Sequence, residues 1–252
     1  MARSDAARRL AARVVRSWTL LPEVGGRPLE FSRISPPSPP TPGTEALVGE
    51  LVRAAGSILD GTAPALAERF SDRMRTEEQR RTWSLWPGEH YALLTALAHG
   101  TGAVRAVEIG TFTGMGTLAL LAGGVEHVTT VDLIPWSDFP DTVLRPSDLA
   151  SAVDQQLVDL ADPGAFARFL PTLVEADLVF IDGPKDWVFE PALFASLVEA
   201  RSELAGTLFV VDDTRVMPLA RTWLETPWDA IDATSLGHWS GTGLARMRSE
   251  PS

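Results

Sequence analysis

Residues 103–121, AVRAVEIGTFTGMGTLALL, constrain this chain more than any other stretch. The apolar, β-branched run from Ala103 to Ile109 reads as a buried strand. Gly110, Gly114 and Gly116 follow, and small residues continue as a helix over Thr117 to Leu121. Glycines between a strand and a helix let the backbone turn sharply and bring a ligand close to main-chain N–H groups. The next apolar run, HVTTVD, ends in Asp132. That is where a ribose-binding carboxylate belongs in a nucleotide-type βαβ unit, about 20 residues on. The glycine spacing is not G-x-G-x-x-G, which argues against a nicotinamide dinucleotide.

From Ala103 onward apolar runs alternate with helical patterns. Strands are predicted near 104–109, 127–132, 154–159, 177–182, 206–212, 230–234 and 241–248. Such alternation means a mostly parallel sheet with helices on both faces, an α/β Rossmann-like fold. Before it, Pro87 is predicted to start a helix, GEHYALLTALA, that ends at Gly100, with His90 read as a surface residue. TEALVGELVRAAGSILD (44–60) and APALAERFSDRMRTEEQRRTW (63–83) carry apolar residues at helical spacing and read as one helix each. Thr44 is the candidate N-cap of the first and Gly61 its stop.

The chain therefore divides into an N-terminal helix and extension (1–33), a proline-rich linker (34–43), a helical lid or dimerisation segment (44–84), and the α/β domain (85–252). The linker ISPPSPPTPG holds five prolines and reads as an extended spacer. Arginines alternate with apolar residues near the N-terminus; an amphipathic helix of a cytoplasmic protein accounts for this better than a transit peptide. No cysteine is present, which excludes disulfides, a thiolate nucleophile and cysteine-ligated zinc. The net charge of −11 argues against a nucleic-acid partner and for a small molecule. No apolar run approaches the ~20 residues that span a bilayer.

Two predicted strands end in carboxylates, DLVFIDGPK with Asp182 and GTLFVVDDTR with Asp212 and Asp213. Ligands of an open parallel sheet sit outside the carboxyl ends of its strands, so three carboxylates should converge in one crevice. A hard divalent cation with oxygen preference would relieve their repulsion. Lys185 is the chain's single lysine among 22 lysines and arginines. Arginine does not deprotonate in proteins, whereas lysine shifts its pKa readily. A lysine three residues after Asp182 thus reads as a group that gives up its proton.

EIGTFTGMGTLAL resembles motif I of class I S-adenosylmethionine-dependent methyltransferases, and most closely the catechol O-methyltransferase-like branch. The resemblance covers residues 85–213. It implies that Glu108 helps hold the amino-acid end of S-adenosylmethionine and that Gly110 and Gly114, with Thr111 and Phe112 between them, pass beneath its methionine part. It further implies that Asp132 takes the ribose hydroxyls and that the seventh strand runs antiparallel. Asp182 would line the cofactor and, with Asp212 and Asp213, hold magnesium; Lys185 would be the general base. The branch usually carries Asp-Asn where this chain has Asp212-Asp213. Asp162 either contacts the adenine amine or caps a helix. Trp136 and Phe139 cover the adenine or pack, with packing favoured.

The segment TSLGHWSGTGLARMR lies outside that pattern. His238 within it is a second candidate base or a turn residue. The resemblance implies an S-adenosylmethionine- and metal-dependent O-methyltransferase acting on a small hydroxylated molecule; separately, the N-terminal helices are read as a lid or the seam of a homodimer. Metal-independent N- or O-methylation with Lys185 or His238 as base, and a non-catalytic cofactor-binding protein, stay open.

Overall fold

The computed structural model describes residues 42–216 and 219–248. The N-terminal helix and most of the proline-rich linker therefore lie outside the described residues. Seven strands form one sheet: β1 (Arg105–Ile109), β2 (His127–Asp132), β3 (Val153–Leu157), β4 (Leu178–Ile181), β5 (Leu208–Asp212), β6 (Trp228–Asp232) and β7 (Thr242–Met247). Their order is β3-β2-β1-β4-β5-β7-β6. The first five pair in parallel, and β7 runs antiparallel between β5 and β6. This is the mostly parallel α/β sheet, with its antiparallel seventh strand, that the sequence implies.

Strands covered on both faces read as continuous apolar runs, and LVFI of β4 is buried throughout. Side chains alternate across such a strand. Leu178 and Phe180 of β4 and Leu208 and Val210 of β5 enter one core layer. Their neighbours Val179, Ile181, Phe209 and Val211 enter the other. The first layer is closed by helices α1 (Pro42–Leu59), α2 (Thr62–Glu68), α3 (Glu77–Ser84), α4 (Tyr91–Thr101) and α5 (Met115–Ala122). A short α6 (Pro146–Leu149) follows β2. The second layer is closed by α7 (Pro163–Val174), α8 (Phe189–Glu199) and α9 (Leu219–Glu225). Among the described residues no helix is long and apolar enough to cross a membrane.

Three local expectations are corrected. The helix read over 63–83 is broken into α2, a 3-10 turn at Ser71–Arg73 and α3. A capping box ends the continuity: Thr76 Oγ1 accepts from the Gln79 amide at 3.0 Å, and Gln79 Oε1 accepts from the Thr76 amide at 3.2 Å. Thr76-Glu-Glu-Gln79 is a helix-start signature in the sequence, overridden there by the longer apolar periodicity. The turn is also anchored by buried Arg73, whose guanidinium donates to the Val143 carbonyl and pairs with Asp148 at 2.5 Å.

The second correction is the helix expected from Pro87, which instead begins at Tyr91. Residues 87–89 are committed elsewhere, because the Gly88 amide donates to the Gly237 carbonyl at 3.0 Å. Third, α1 starts at Pro42, two residues before the proposed cap Thr44. Proline suits a first helical turn because its missing N–H would have no partner there.

Candidate active site

The strand order reverses between β1 and β4, since β2 and β3 lie on one side and β5 on the other. The loops after these two strands diverge and leave a crevice at their carboxyl ends. This narrow crevice is lined by Tyr91, Glu108, Gly110, Thr111, Phe112, Thr113, Met115, Gly116, Phe180 and Asp182. Most of these lining positions fall in the sequence stretch that bears the glycine motif.

Gly110 explains why the motif needs glycine. Its φ is +110°, and a Cβ there would lie 2.1 Å from the Asp182 carbonyl oxygen. The β1 and β4 loops therefore touch at a point where no side chain fits. Gly114, at φ +87°, starts α5 as its N-cap.

Glu108 sits at the floor of the cleft, 1% exposed. Its Oε2 accepts from the hydroxyls of Thr117 and, at 2.6 Å, Thr130. Thr130 is linked to Thr111 at 2.7 Å, and Gln155 Nε2 donates to Thr111 at 3.1 Å. Burial pushes the Glu108 carboxyl up to about 8, against the lowering effect of its two threonine bonds. Asp132, at the end of β2, spends its carboxylate on the loop that carries Phe112. It accepts from the Phe112 amide at 2.9 Å and from the Leu133 and Ile134 amides at 2.7 and 3.1 Å.

Asp162 caps α7, accepting from the Ala165 amide at 2.7 Å. Asp132, Gly114 and Asp162 are not part of the cleft wall. Phe139 meets Phe112 edge-on at 5.1 Å, while Trp136 is partly buried against the first core layer.

The second half of the site lies at the ends of β4 and β5. Asp182, Asp212 and Asp213 each offer an oxygen within a 4.8 Å cluster. Lys185 Nζ enters this cluster, 3.0 Å from Asp182 Oδ1, 3.5 Å from Asp213 Oδ2 and 2.8 Å from the Gly183 carbonyl. Burial disfavours its charge, but Asp182 and Asp213 outweigh burial and hold the ammonium above the ordinary lysine value. Without a cation in the cluster, the carboxylates thus favour the ammonium form of Lys185.

Asp213 takes a left-handed φ of +61°, and the Ser240 hydroxyl donates to its Oδ1. Burial and the adjacent Asp212 raise its pKa.

His238 joins the same cluster. Its Nδ1 is 3.0 Å from Asp212 Oδ2 and 2.8 Å from Ser240 Oγ. Burial disfavours the imidazolium, yet Asp212 lifts it to about 10. The loop carrying it is pinned on two sides. Gly88 bonds Gly237 and Trp239, while the Thr214 and Arg215 amides donate to the Gly241 and Ser240 carbonyls.

His90, read as a surface residue, is instead 4% exposed. Its ring contacts Phe180 and Tyr91 at centroid distances of 5.1 and 4.3 Å. Nothing in its local sequence signals this, because the burial arises where α4 begins beneath the 237–241 loop.

No family model and no curated protein matches the chain. Solved structures similar to it include a SAH-bound methyltransferase from Podospora anserina, at 14% identity and TM-score 0.48, covering 74% of this chain and 87% of that one. An O-methyltransferase from Bacillus cereus in complex with SAH is similar at 18% identity and TM-score 0.46, covering 78% and 97%. A methyltransferase from Geobacter sulfurreducens is similar at 16% identity and TM-score 0.45, covering 77% and 94%.

Proposed function

We propose that this chain is an S-adenosylmethionine-dependent methyltransferase that methylates a hydroxyl oxygen of a small molecule with the help of a divalent cation. One observation carries the reading: Asp182 both lines the cleft over the glycine loop and holds Lys185 at 3.0 Å. The cofactor cleft and the carboxylate–lysine cluster are therefore one crevice.

The residues fit both groups. Glu108 is a buried carboxyl at the cleft floor whose Oε1 would meet a Cβ on Gly116 at 2.2 Å, so a glycine there keeps that oxygen open. A buried acid beside a cavity suits the ammonium of an amino-acid moiety, which would favour its ionised form. The three aspartates offer an all-oxygen donor set of the kind magnesium takes. When bound, the cofactor supplies a methyl group on sulfonium sulfur, and a dication supplies charge that lowers the pKa of a nearby hydroxyl and of Lys185.

The chain's own part is positional and protolytic. Glu108 and the Gly110 loop fix the donor, while Phe180 and Tyr91 form an apolar wall beside it. Lys185 accepts the acceptor hydroxyl's proton at Nζ. The acceptor oxygen freed in this way would take the methyl group that the bound cofactor supplies. Alignment of the reacting atoms supplies much of the acceleration.

A second reading assigns the base to His238. It rests on the Asp212–His238 pair, in which a buried carboxylate orients an imidazole as in other acid–base pairs, and it requires the ring to be freed of the proton that Asp212 favours. Methyl transfer to a panel of catechols and phenols, followed by mass spectrometry with and without chelator, tests the proposal. Failure of calorimetry to detect S-adenosylmethionine or S-adenosylhomocysteine would overturn it. Full activity in excess chelator would remove the aspartates as metal ligands and leave the second reading.

A further inference from the structure

Beside the all-oxygen cluster stands a different donor set. His90, Asp212 and His238 place one ring nitrogen or carboxylate oxygen each within 4.8 Å of one another. We propose that these three residues form a binding site for a first-row divalent transition-metal ion, with zinc(II) as the ion their donors suit.

His90 carries the argument. Its side chain is 4% exposed, and neither Nδ1 nor Nε2 makes a hydrogen bond of good geometry. A buried ring whose Nε2 has no partner and whose Nδ1 has only a long contact with Asp212 is costly unless a ligand completes it. Its Nδ1 is aimed at the cluster, 3.4 Å from Asp212 Oδ2. His238 Nδ1 approaches the same oxygen at 3.0 Å. Ligands held at ~2.1 Å around a tetrahedral ion stand about 3.4 Å apart, so both separations match the edges of such a site after small adjustment.

The site is also built rather than incidental. Residues 88 and 238 form a parallel bridge, so the two segments bearing the histidines are tied by their backbones. The two rings meet edge to face at 5.4 Å and 79°, and each brings its Nδ1 to Asp212 Oδ2. His238 Nε2 faces Glu89 Oε2 at 3.8 Å, and a carboxylate behind a ligating imidazole fixes its orientation. Two imidazoles and one carboxylate favour zinc, cobalt or nickel over magnesium, which prefers oxygen. His90 and His238 bring nitrogen donors that the three-aspartate cluster lacks, and only Asp212 is common to both.

This site does not depend on methyl transfer, so its test uses the full-length chain without cofactor or acceptor. Metal-stripped protein is titrated with zinc(II), cobalt(II) and magnesium(II) by calorimetry, and cobalt binding is followed by its visible absorption. The expected result is one high-affinity zinc equivalent per chain, with magnesium binding at least about 100-fold weaker there. His90→Gln and His238→Gln should each weaken zinc by roughly 100-fold or more, while Asp182→Asn leaves it unchanged. Absence of a zinc equivalent in the parent protein overturns the proposal whatever the variants do. Parent-like affinity in a folded His90→Gln protein also overturns it, and would mean that the two imidazoles are only ion-paired with Asp212.

Discussion

Lys185 Nζ lies 3.0 Å from Asp182 Oδ1, and Asp182 follows the strand whose loop presses against Gly110. The single lysine is thus coupled both to the acidic cluster and to the glycine turn. Arginine at this position would keep a cation among the carboxylates but could not release a proton. We expect Lys185→Arg to bind S-adenosylhomocysteine nearly as the parent does and to lose roughly 10²- to 10⁴-fold in turnover. Lys185→Met should in addition lose about 1–3 kcal/mol of stability, because it strands buried Asp213 beside half-buried Asp182. Calorimetry, thermal melts and single-turnover kinetics separate these effects. Parent-like turnover in the arginine variant would exclude the lysine as base.

Glu108 links stability to pH in a definite direction. Its carboxyl is raised to about 8 in the folded chain by burial, against about 4.3 in an unfolded one. Between those values the unfolded chain releases a proton that the folded chain keeps. Its contribution is therefore complete below about pH 4 and is lost progressively as pH rises toward 8. We expect Glu108→Gln to flatten this part of the stability profile by up to a few kcal/mol. Chemical denaturation of the ligand-free protein across that range would show it. An unchanged slope in the variant would assign the pH dependence to other groups.

The glycine turn, the succession of seven strands and the carboxylates that end two of them were legible because each depends on local pattern. Buried parallel strands impose apolar runs, and Gly110 must be glycine because its backbone and the Asp182 carbonyl leave no room. His90 was not legible. It precedes an apolar helix without any periodic mark, and only the pairing of Gly88 with residues 237–239 brings it under His238. The charge state of Lys185 was also hidden, since it depends on how closely Asp182 and Asp213 approach. The break within 63–83 was readable in Thr76-Glu-Glu-Gln79, but the longer apolar periodicity masked a cap that acts over a single turn.

Gly110→Ala tests the contact between the two loops. A non-glycine residue at φ +110° is strained, and its Cβ would stand 2.1 Å from the Asp182 carbonyl oxygen. The conformational strain alone is of order 1–3 kcal/mol, and separating the loops adds to it. We expect a lowered melting temperature together with weakened S-adenosylhomocysteine binding. Gly124→Ala is the control: its φ is also positive, at +100°, but nothing lies within 4 Å of a Cβ there. It should lose stability while keeping cofactor affinity. Equal affinity losses in both variants would show that the Gly110 contact has no special part in the cleft.

Asp213 is the position where the motif resemblance would put asparagine, and its backbone explains why either residue is acceptable. At φ +61° it occupies the left-handed region, which asparagine and aspartate enter more readily than other side chains. An asparagine side chain at this position would keep an oxygen toward the cluster while removing the charge that burial and Asp212 already disfavour. We expect Asp213→Asn to fold like the parent and to keep turnover at saturating magnesium. Its magnesium affinity should fall by roughly 10-fold through the lost charge. Asp213→Val should instead be destabilised by at least ~1–2 kcal/mol, because a β-branched residue is strained there. Magnesium titration of turnover, paired with thermal melts, reads both variants. If Asp213→Asn kept the parent's magnesium affinity, the charge of Asp213 would have no part in holding the cation and would serve Lys185, 3.5 Å away, as a counter-ion.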